Sequence, residues 1–357
     1  MPTLSFTIEE VTLPDSIDSP DAADFLRGLE VSNAVEAISF GTPDLAYEPE
    51  EELPFWKNPH QPQRMIVAKV DGQVVGEASY ETYVGENADS GWLSVKVLSE
   101  FRGHGIGTAL ADRVEAMARA DGKPKGIAYT ALQDVPGDRI PSPTGFGSIP
   151  AEHPDVRFLQ KRGYSFEQVE RLSRLPLPVE GIDDRVAEAA TRSGDDYAVH
   201  YWTGATPEQW RSDIAMLATR MSTDAPSAGL EQPEDVWTVE RVIEADARNA
   251  ESPRTRIVAA VEHVPSGHLA GYTVLSAPAQ LHRSVSQYIT IVLKEHRGHK
   301  LGMLLKVANL EHLQRVKPGH SSVTTFNAEE NRFMLDVNEA VGFVPIGVES
   351  AWRKDFK

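Results

Sequence analysis

The chain has 357 residues, 41% hydrophobic and 25% charged, with 35 Lys and Arg against 53 Asp and Glu for a formal net charge of −18. That length suits two domains with buried cores, while the acidic balance excludes the basic footprint of sequence-independent nucleic-acid binding and is compatible with a cationic or amine-bearing partner. There is no cysteine, which removes disulfides, thiolate zinc sites and cysteine nucleophiles; no run approaches the ~20 apolar residues of a membrane span, and MPTLSFTIEEVTLPDS does not read as a secretory signal, so a cytoplasmic protein is expected.

Ile66-Val67-Ala68 is a β-branched run that reads as a strand. A turn follows, then strands from Gln73 to Tyr83 and from Trp92 to Leu98. Arg102-Gly103-His104-Gly105-Ile106-Gly107 comes next, and Leu110, Val114 and Met117 behind it recur at helical spacing. Gly126 to Leu132 reads as a further strand. Asp134 to Pro154 contains Pro136, Gly137, Pro141, Pro143, Gly145, Gly147 and Pro150, the composition of a loop that is either a lid or wall, or a flexible surface insertion. A helix ending at Gly163-Tyr164 closes this half. Leu175-Pro176-Leu177-Pro178 then breaks regular structure, and the acidic stretch up to Asp196 suits a connection.

The same order then returns. Tyr197 to Trp202 reads as a strand, Ile257-Val258-Ala259 repeats the β-branched run, and His268 to Ser276 and Gln287 to Leu293 repeat the two strands after it. Arg297-Gly298-His299-Lys300-Leu301-Gly302 repeats the glycine-rich turn, with Leu305 where the first copy has Leu110. Gly267 and Gly271 match Gly72 and Gly76 at the offset that relates the two turns. Register kept across two separated motifs marks an internal duplication. An apolar stripe over Leu301, Leu304, Leu305, Ala308 and Leu313 predicts the second helix, Ser321 to Phe326 a strand, and Gly342-Phe343 the end of a closing helix. Short turns make the first strands of each half antiparallel, and the helix crossover permits a parallel partner. The chain therefore reads as α+β with domains over 1–180 and 190–357, each a mixed, mostly antiparallel sheet flanked by helices.

A strand that enters a glycine-rich turn and then a helix is an anion site. The first amides of the helix have no internal partners and the macrodipole makes that end positive. Glycines let a pyrophosphate approach those amides, and an arginine adds charge-assisted bonding. Neither turn has the Gly-x4-Gly-Lys-Ser/Thr of a P-loop. The first gives Gly-x-Gly-x-Gly, after strands that read as antiparallel, which does not suit the dinucleotide fingerprint of a βαβ unit. Arg102 to Gly107 does fit Arg/Gln-x-x-Gly-x-Gly/Ala, the signature of the GNAT (Gcn5-related N-acetyltransferase) family.

On these motifs the sequence resembles the tandem GNAT enzymes of actinobacteria, the group to which mycothiol synthase belongs, once per half and over nearly the whole chain. The resemblance implies two tandem GNAT folds. It also implies a transferase that moves an acetyl group from the cosubstrate acetyl-CoA to a small amine by direct attack on the thioester, with no nucleic-acid or membrane partner. The pantetheine arm would pair with Val95 to Val97, and with Thr290 to Val292 in the second half. The pyrophosphate would sit beside Arg102 on the amides of Gly103, His104, Gly105, Ile106, Gly107 and Thr108. Its second-half counterpart is Arg297, Gly298, His299, Lys300, Gly302 and Met303, with Lys300 in place of the signature's first glycine.

In the family's closing helix an asparagine contacts the pantetheine arm, and a tyrosine seven positions on protonates the leaving thiolate. Asn331 matches the asparagine in the second half, where Asn338 stands in place of the tyrosine; the first half has Glu152 and Leu159 there. The strand position where some relatives carry a glutamate base falls at Gly91 and Ser286. Asp89 and Glu77 are then the candidate bases of the first half, and Asn338 the candidate hydrogen-bond donor of the second. His104 and His299 read as structural or phosphate-side residues. The better-kept closing helix places the expected chemistry in the second half. The alternative reading is a non-catalytic acyl-CoA-binding protein with degenerate GNAT domains.

Overall fold

Aliphatic side chains on both faces of the central strands require helices above and below each sheet, and this sets the architecture. In the computed structural model, which describes residues 4–85, 88–133 and 135–356, the chain divides into two compact units. One comprises the chain up to Glu170, Ser227–Pro233 and the chain from Gly347; the other comprises Arg171–Pro226 and Glu234–Ile346. The units are thus not simple halves of the sequence.

The first unit contains β1 (Thr7–Val11), α1 (Ala23–Phe40), α2 (Pro49–Trp56), β2 (Gln63–Val70), β3 (Gln73–Thr82), β4 (Ser90–Val97), α3 (Ile106–Ala120), β5 (Lys125–Leu132), β6 (Arg139–Pro141), β7 (Ser148–Pro150) and α4 (Pro154–Lys161). Strand β8 (Ser165–Pro176) begins here and continues into the second unit. The second contains α5 (Ile182–Ser193), β9 (Tyr197–Thr203), α6 (Arg211–Asp224), α7 (Val239–Glu251), β10 (Thr255–His263), β11 (His268–Ala277), β12 (Val285–Val292), α8 (Leu301–Val316), β13 (Ser322–Ala328) and α9 (Arg332–Val341). The last strand, β14 (Val344–Asp355), belongs from Gly347 onward to the first unit.

In the first unit the strand order is β1-β2-β3-β4-β5-β14. The pairs β1/β2, β2/β3 and β3/β4 are antiparallel, β4/β5 is parallel, and β14 lies antiparallel to β5. On β2, Ile66 and Ala68 face a core with Ile106, Leu110, Val114 and Met117 of α3. Met65 and Val67 face the opposite core, with Phe25, Leu29 and Val35 of α1 and Leu53 and Trp56 of α2. The recurring Gly76 is explained by this packing: a Cβ there would lie 3.0 Å from Leu110 and 3.3 Å from Ile106. The second unit repeats the plan. Its order is β8-β13-β12-β11-β10-β9, with β12/β13 parallel and α8 on one face. Helices α6 and α7 cover the other face, against Val258, Ala260 and Val274.

The architecture is the expected α+β one, with three local corrections. The stretch expected as a connection before Asp196 carries α5, because Ile182, Val186 and Ala189 fall on one helical face against the core and Asp183 and Asp184 complement its N-terminal dipole. The Pro/Gly-rich insertion, whose first residue Asp134 lies outside the described residues, contains the β6/β7 hairpin and buries Ile149 fully, which ties it to the core. Helices α1 and α2 have no counterpart among the expected elements; α2 packs on the core and α1 forms one wall of the cavity described below.

Candidate active site

The site is built where two parallel strands part. β4 and β5 pair only at Ser90–Lys125, Gly91–Gly126 and Trp92–Ile127. Past Trp92 they separate, and the β5-facing edge of Leu93 to Val97 has no strand partner among the described residues. A cavity of about 570 Å³ opens in the gap. One end is lined by Val95, Val97, Arg102, Gly103, Gly105, Gly107 and Thr108, with Pro154, Asp155 and Phe158 of α4 opposite. The other is lined by Glu36 and Phe40 of α1, Ser79 and Glu81 of β3, Tyr129 of β5 and Glu349 of β14.

At the turn, Gly103 and Gly105 have φ of 80° and 88°, the left-handed region that glycine enters without strain. Gly105 caps α3, and Ala109 makes its helical bond to the Gly105 carbonyl. The amides of Ile106, Gly107 and Thr108 therefore have no helical acceptor behind them. Arg102 donates through Nε to the Val97 carbonyl at 3.0 Å, and its guanidinium lies 3.6 Å from the Asp155 carboxylate. His104 is half-buried, with Nδ1 3.0 Å from the Arg102 carbonyl. Ile106 points its side chain into the core. The turn thus has the bare amides, open approach and cation that a pyrophosphate requires.

The second turn has the same backbone. Gly298 and Lys300 have φ of 93° and 60°, and Arg297 Nε donates to the Val292 carbonyl at 3.3 Å. Its arginine is held differently: Arg297 Nη2 lies 2.9 Å and Lys294 Nζ 3.1 Å from the Asp224 carboxylate. His299 packs against Tyr197, with ring centroids 5.2 Å apart. Gly302 and Met303 lie in the first turn of α8, Met303 against the core. β12 and β13 also part, after Gln287–Thr325. Here, however, side chains bond one another. Gln287 Nε2 donates to Thr273 Oγ1, Val274 O and Ile289 O, and Thr290 Oγ1 lies 2.9 Å from Thr273 Oγ1. Val292 packs beside this network against the core.

The candidate catalytic residues fall away from the cavity. Asp89 is ion-paired to Lys125 at 3.0 Å and accepts from Ser90 Oγ. Glu77 is buried opposite Lys96 on β4, and burial pushes its carboxyl up to about 7; it does not line the cavity. Asn338 is buried and donates Nδ2 to Asn327 Oδ1 at 2.7 Å. Asn331 caps α9, its Oδ1 accepting from the Met334 amide. Glu152 pairs with Arg157, and Leu159 is buried. Gly91 has no room for a glutamate, since even a Cβ would lie 2.8 Å from Tyr80.

The cavity's own carboxylates are a different set. Glu36 Oε1 lies 2.6 Å from Lys96 Nζ, which also donates to Ser32 Oγ at 2.6 Å. Burial works against the charge on Lys96, yet Glu36, Glu77 and Glu52 outweigh it and raise the ammonium's pKa. Glu81 accepts from Gln61, and burial raises its carboxyl. Glu349 has no hydrogen bond or ion pair among the described residues; burial, with Glu170 and Glu36 close by, pushes its carboxyl up to about 8. Tyr129 accepts from Gln232 Nε2 at 2.8 Å, and burial beside Glu170 and Glu349 raises the phenol, so it keeps its proton. Periodicity marks none of these as functional, because Glu36 and Glu349 enter from elements distant in sequence from the turn.

Comparison with known proteins agrees with this geometry. Residues 33–136 match the model of the Acetyltransferase (GNAT) family. The chain is similar in fold to a tandem GNAT protein from the clavulanic acid biosynthesis pathway, at 22% identity, 98% of each chain and a TM-score of 0.73. A GCN5-related N-acetyltransferase from Sphaerobacter thermophilus matches at 15% identity over 98% of this chain and 95% of that one, with a TM-score of 0.63. The N-myristoyltransferase of Saccharomyces cerevisiae with bound myristoyl-CoA matches at 12% identity over 100% and 80%, with a TM-score of 0.60. No curated protein matches the sequence. The stretch 33–136 is thus matched to the GNAT acetyltransferases, a class whose cosubstrate is acetyl-CoA, and no helix among the described residues is long and apolar enough to cross a membrane.

Proposed function

We propose that the protein is an acetyl-CoA-dependent N-acetyltransferase acting on a small amine, with transfer in the first unit. The observation that carries this reading is the continuity of one cavity from the Arg102–Thr108 turn, past the free edge of β4, to Glu36, Glu81 and Glu349. A pyrophosphate at the turn and a pantetheine arm along Val95 to Val97 would direct the thioester toward those carboxylates. Amides on the open edge of β4 would polarise its carbonyl, and a carboxylate-lined end favours a cationic amine over an alcohol.

This reverses the expectation that the second half, with Asn331 at family spacing, performs the chemistry. Asn331 is engaged as a helix cap and Asn338 with Asn327. The second turn would serve as a structural or secondary CoA site. The missing family tyrosine favours the rival reading, a non-catalytic acyl-CoA binder. The protonated Tyr129 in the cavity weighs against it, because a phenol there offers a donor for the departing thiolate. The test is acetyl transfer from acetyl-CoA to lysine, glucosamine, spermidine and tyramine, alongside the melting temperature with millimolar CoA. A CoA-dependent rise in melting temperature together with acetylated amine is expected. A rise without product from any amine supports the binder, and no rise defeats both readings.

A further inference from the structure

The cavity offers four carboxylates, and three are already engaged. Asp155 faces Arg102 at the phosphate end, Glu36 is held by Lys96, and Glu81 accepts from Gln61. Glu349 remains. It stands on β14 opposite Ala131 of β5, so the final strand of the chain brings it to the gap between β4 and β5. We propose that Glu349 is the catalytic proton acceptor, taking a proton from the ammonium of the acceptor so that the free amine can attack; this rests on the function proposed above.

The step balances as follows. One proton passes from the ammonium nitrogen to a Glu349 oxygen and on to solvent. The freed lone pair forms the C–N bond at the thioester carbon, the C–S bond breaks, and the sulfur takes up the second amine proton. The products are the amide, CoA thiol and one released proton. The surroundings of Glu349 suit the task. Burial first, then Glu170 on β8 and Glu36 on α1, disfavours its charge, Lys96 on β4 favours it, and Tyr129 on β5 stays neutral beside it. The resulting value near 8 makes the carboxylate a stronger base than an ordinary glutamate while leaving it largely ionised in mildly alkaline solution. Placement on β14 also explains why Gly91, at the family's base position, can be filled by a neighbouring ring.

The test compares the full chain with Glu349→Gln and Glu349→Asp. In the protein alone, carbon NMR of labelled glutamate should show one carboxyl titrating near pH 8 that is missing from Glu349→Gln. With acetyl-CoA and the amine panel, kcat/KM should rise through pH 8 in the wild type. Glu349→Gln should lose on the order of 100-fold in kcat at pH 8, keep its CoA affinity by calorimetry, and recover toward the pKa of the amine itself. Glu349→Asp should fall between the two. A Glu349→Gln enzyme with wild-type kcat and an unchanged alkaline limb would overturn the proposal while leaving the transferase reading intact. So would a Glu349 carboxyl titrating in the ordinary range. No transfer by the wild type to any amine would overturn both.

Discussion

Lys96 on β4 and Glu36 on α1 meet at 2.6 Å across one wall of the cavity, and this pair holds a larger cluster in balance. Glu77 and Glu52 also contribute to the field that keeps Lys96 charged. Replacing Lys96 by Met would leave half-buried carboxylates without their cation. Breaking a fully buried pair costs about 3–5 kcal/mol, so with partial exposure the expected loss is about 2–4 kcal/mol at pH 7.5. Urea denaturation should show it, with a smaller loss at pH 5 where Glu77 is protonated. Equal losses at both pH values would mean that packing of the lysine stem, not charge balance, sets the effect.

Glu77 makes a complementary prediction with the opposite sign. Its folded value of about 7 lies above the usual carboxylate range because burial penalises the charge. The folded state therefore holds the proton more tightly than the unfolded chain. The cost of ionising Glu77 is absent below about pH 4, grows as pH rises, and is complete above pH 7. Glu77→Gln should leave stability unchanged at pH 4 and raise it at pH 8 by up to about 3 kcal/mol, a figure in which the attraction of Lys96 is already included. Chemical denaturation at the two pH values measures this directly; a variant less stable than wild type at pH 8 would show that Glu77 is needed as an anion.

Gly105 combines a left-handed φ of 88° with open space where a Cβ would stand. A side chain there would project toward the proposed phosphate site and leave the core untouched. Gly105→Asp should weaken CoA binding at least ~100-fold through charge repulsion and displacement of the phosphate. The backbone strain should cost only about 1–2 kcal/mol of stability. Calorimetry against CoA decides the matter, and an unchanged affinity would move the phosphate site elsewhere.

Lys300 occupies the equivalent cap of α8 with φ of 60° and ψ of 18°, and its side chain is exposed. A non-glycine residue pays for this conformation with a close Cβ–carbonyl approach. Lys300→Gly should therefore raise stability by about 0.5–1 kcal/mol, the relief of strain being partly offset by the greater freedom of glycine in the unfolded chain. A melting temperature below that of wild type would indicate that the lysine makes a favourable contact that outweighs the strain.

The internal repeat, the Arg-Gly turns, the strand–turn–helix order and the two-faced apolar strands were legible from the residues. Each is encoded locally, by glycines at left-handed φ, by alternation along β2 and β10, and by helical spacing along α3 and α8. The family signature at Arg102 to Gly107 marked a turn that lines the cavity for the same reason. The carboxylate-lined end of the cavity was not legible. Asp89 and Glu77 have suitable chemistry near the right strands, but only folding pairs one with Lys125 and closes the other beneath Lys96. Glu36 and Glu349 stand far from the turn in sequence and reach the cavity because α1 packs on β3 and β14 pairs with β5. A carboxylate's role depends on which charges and how much solvent surround it, and those surroundings exist only once strands distant in the chain lie side by side.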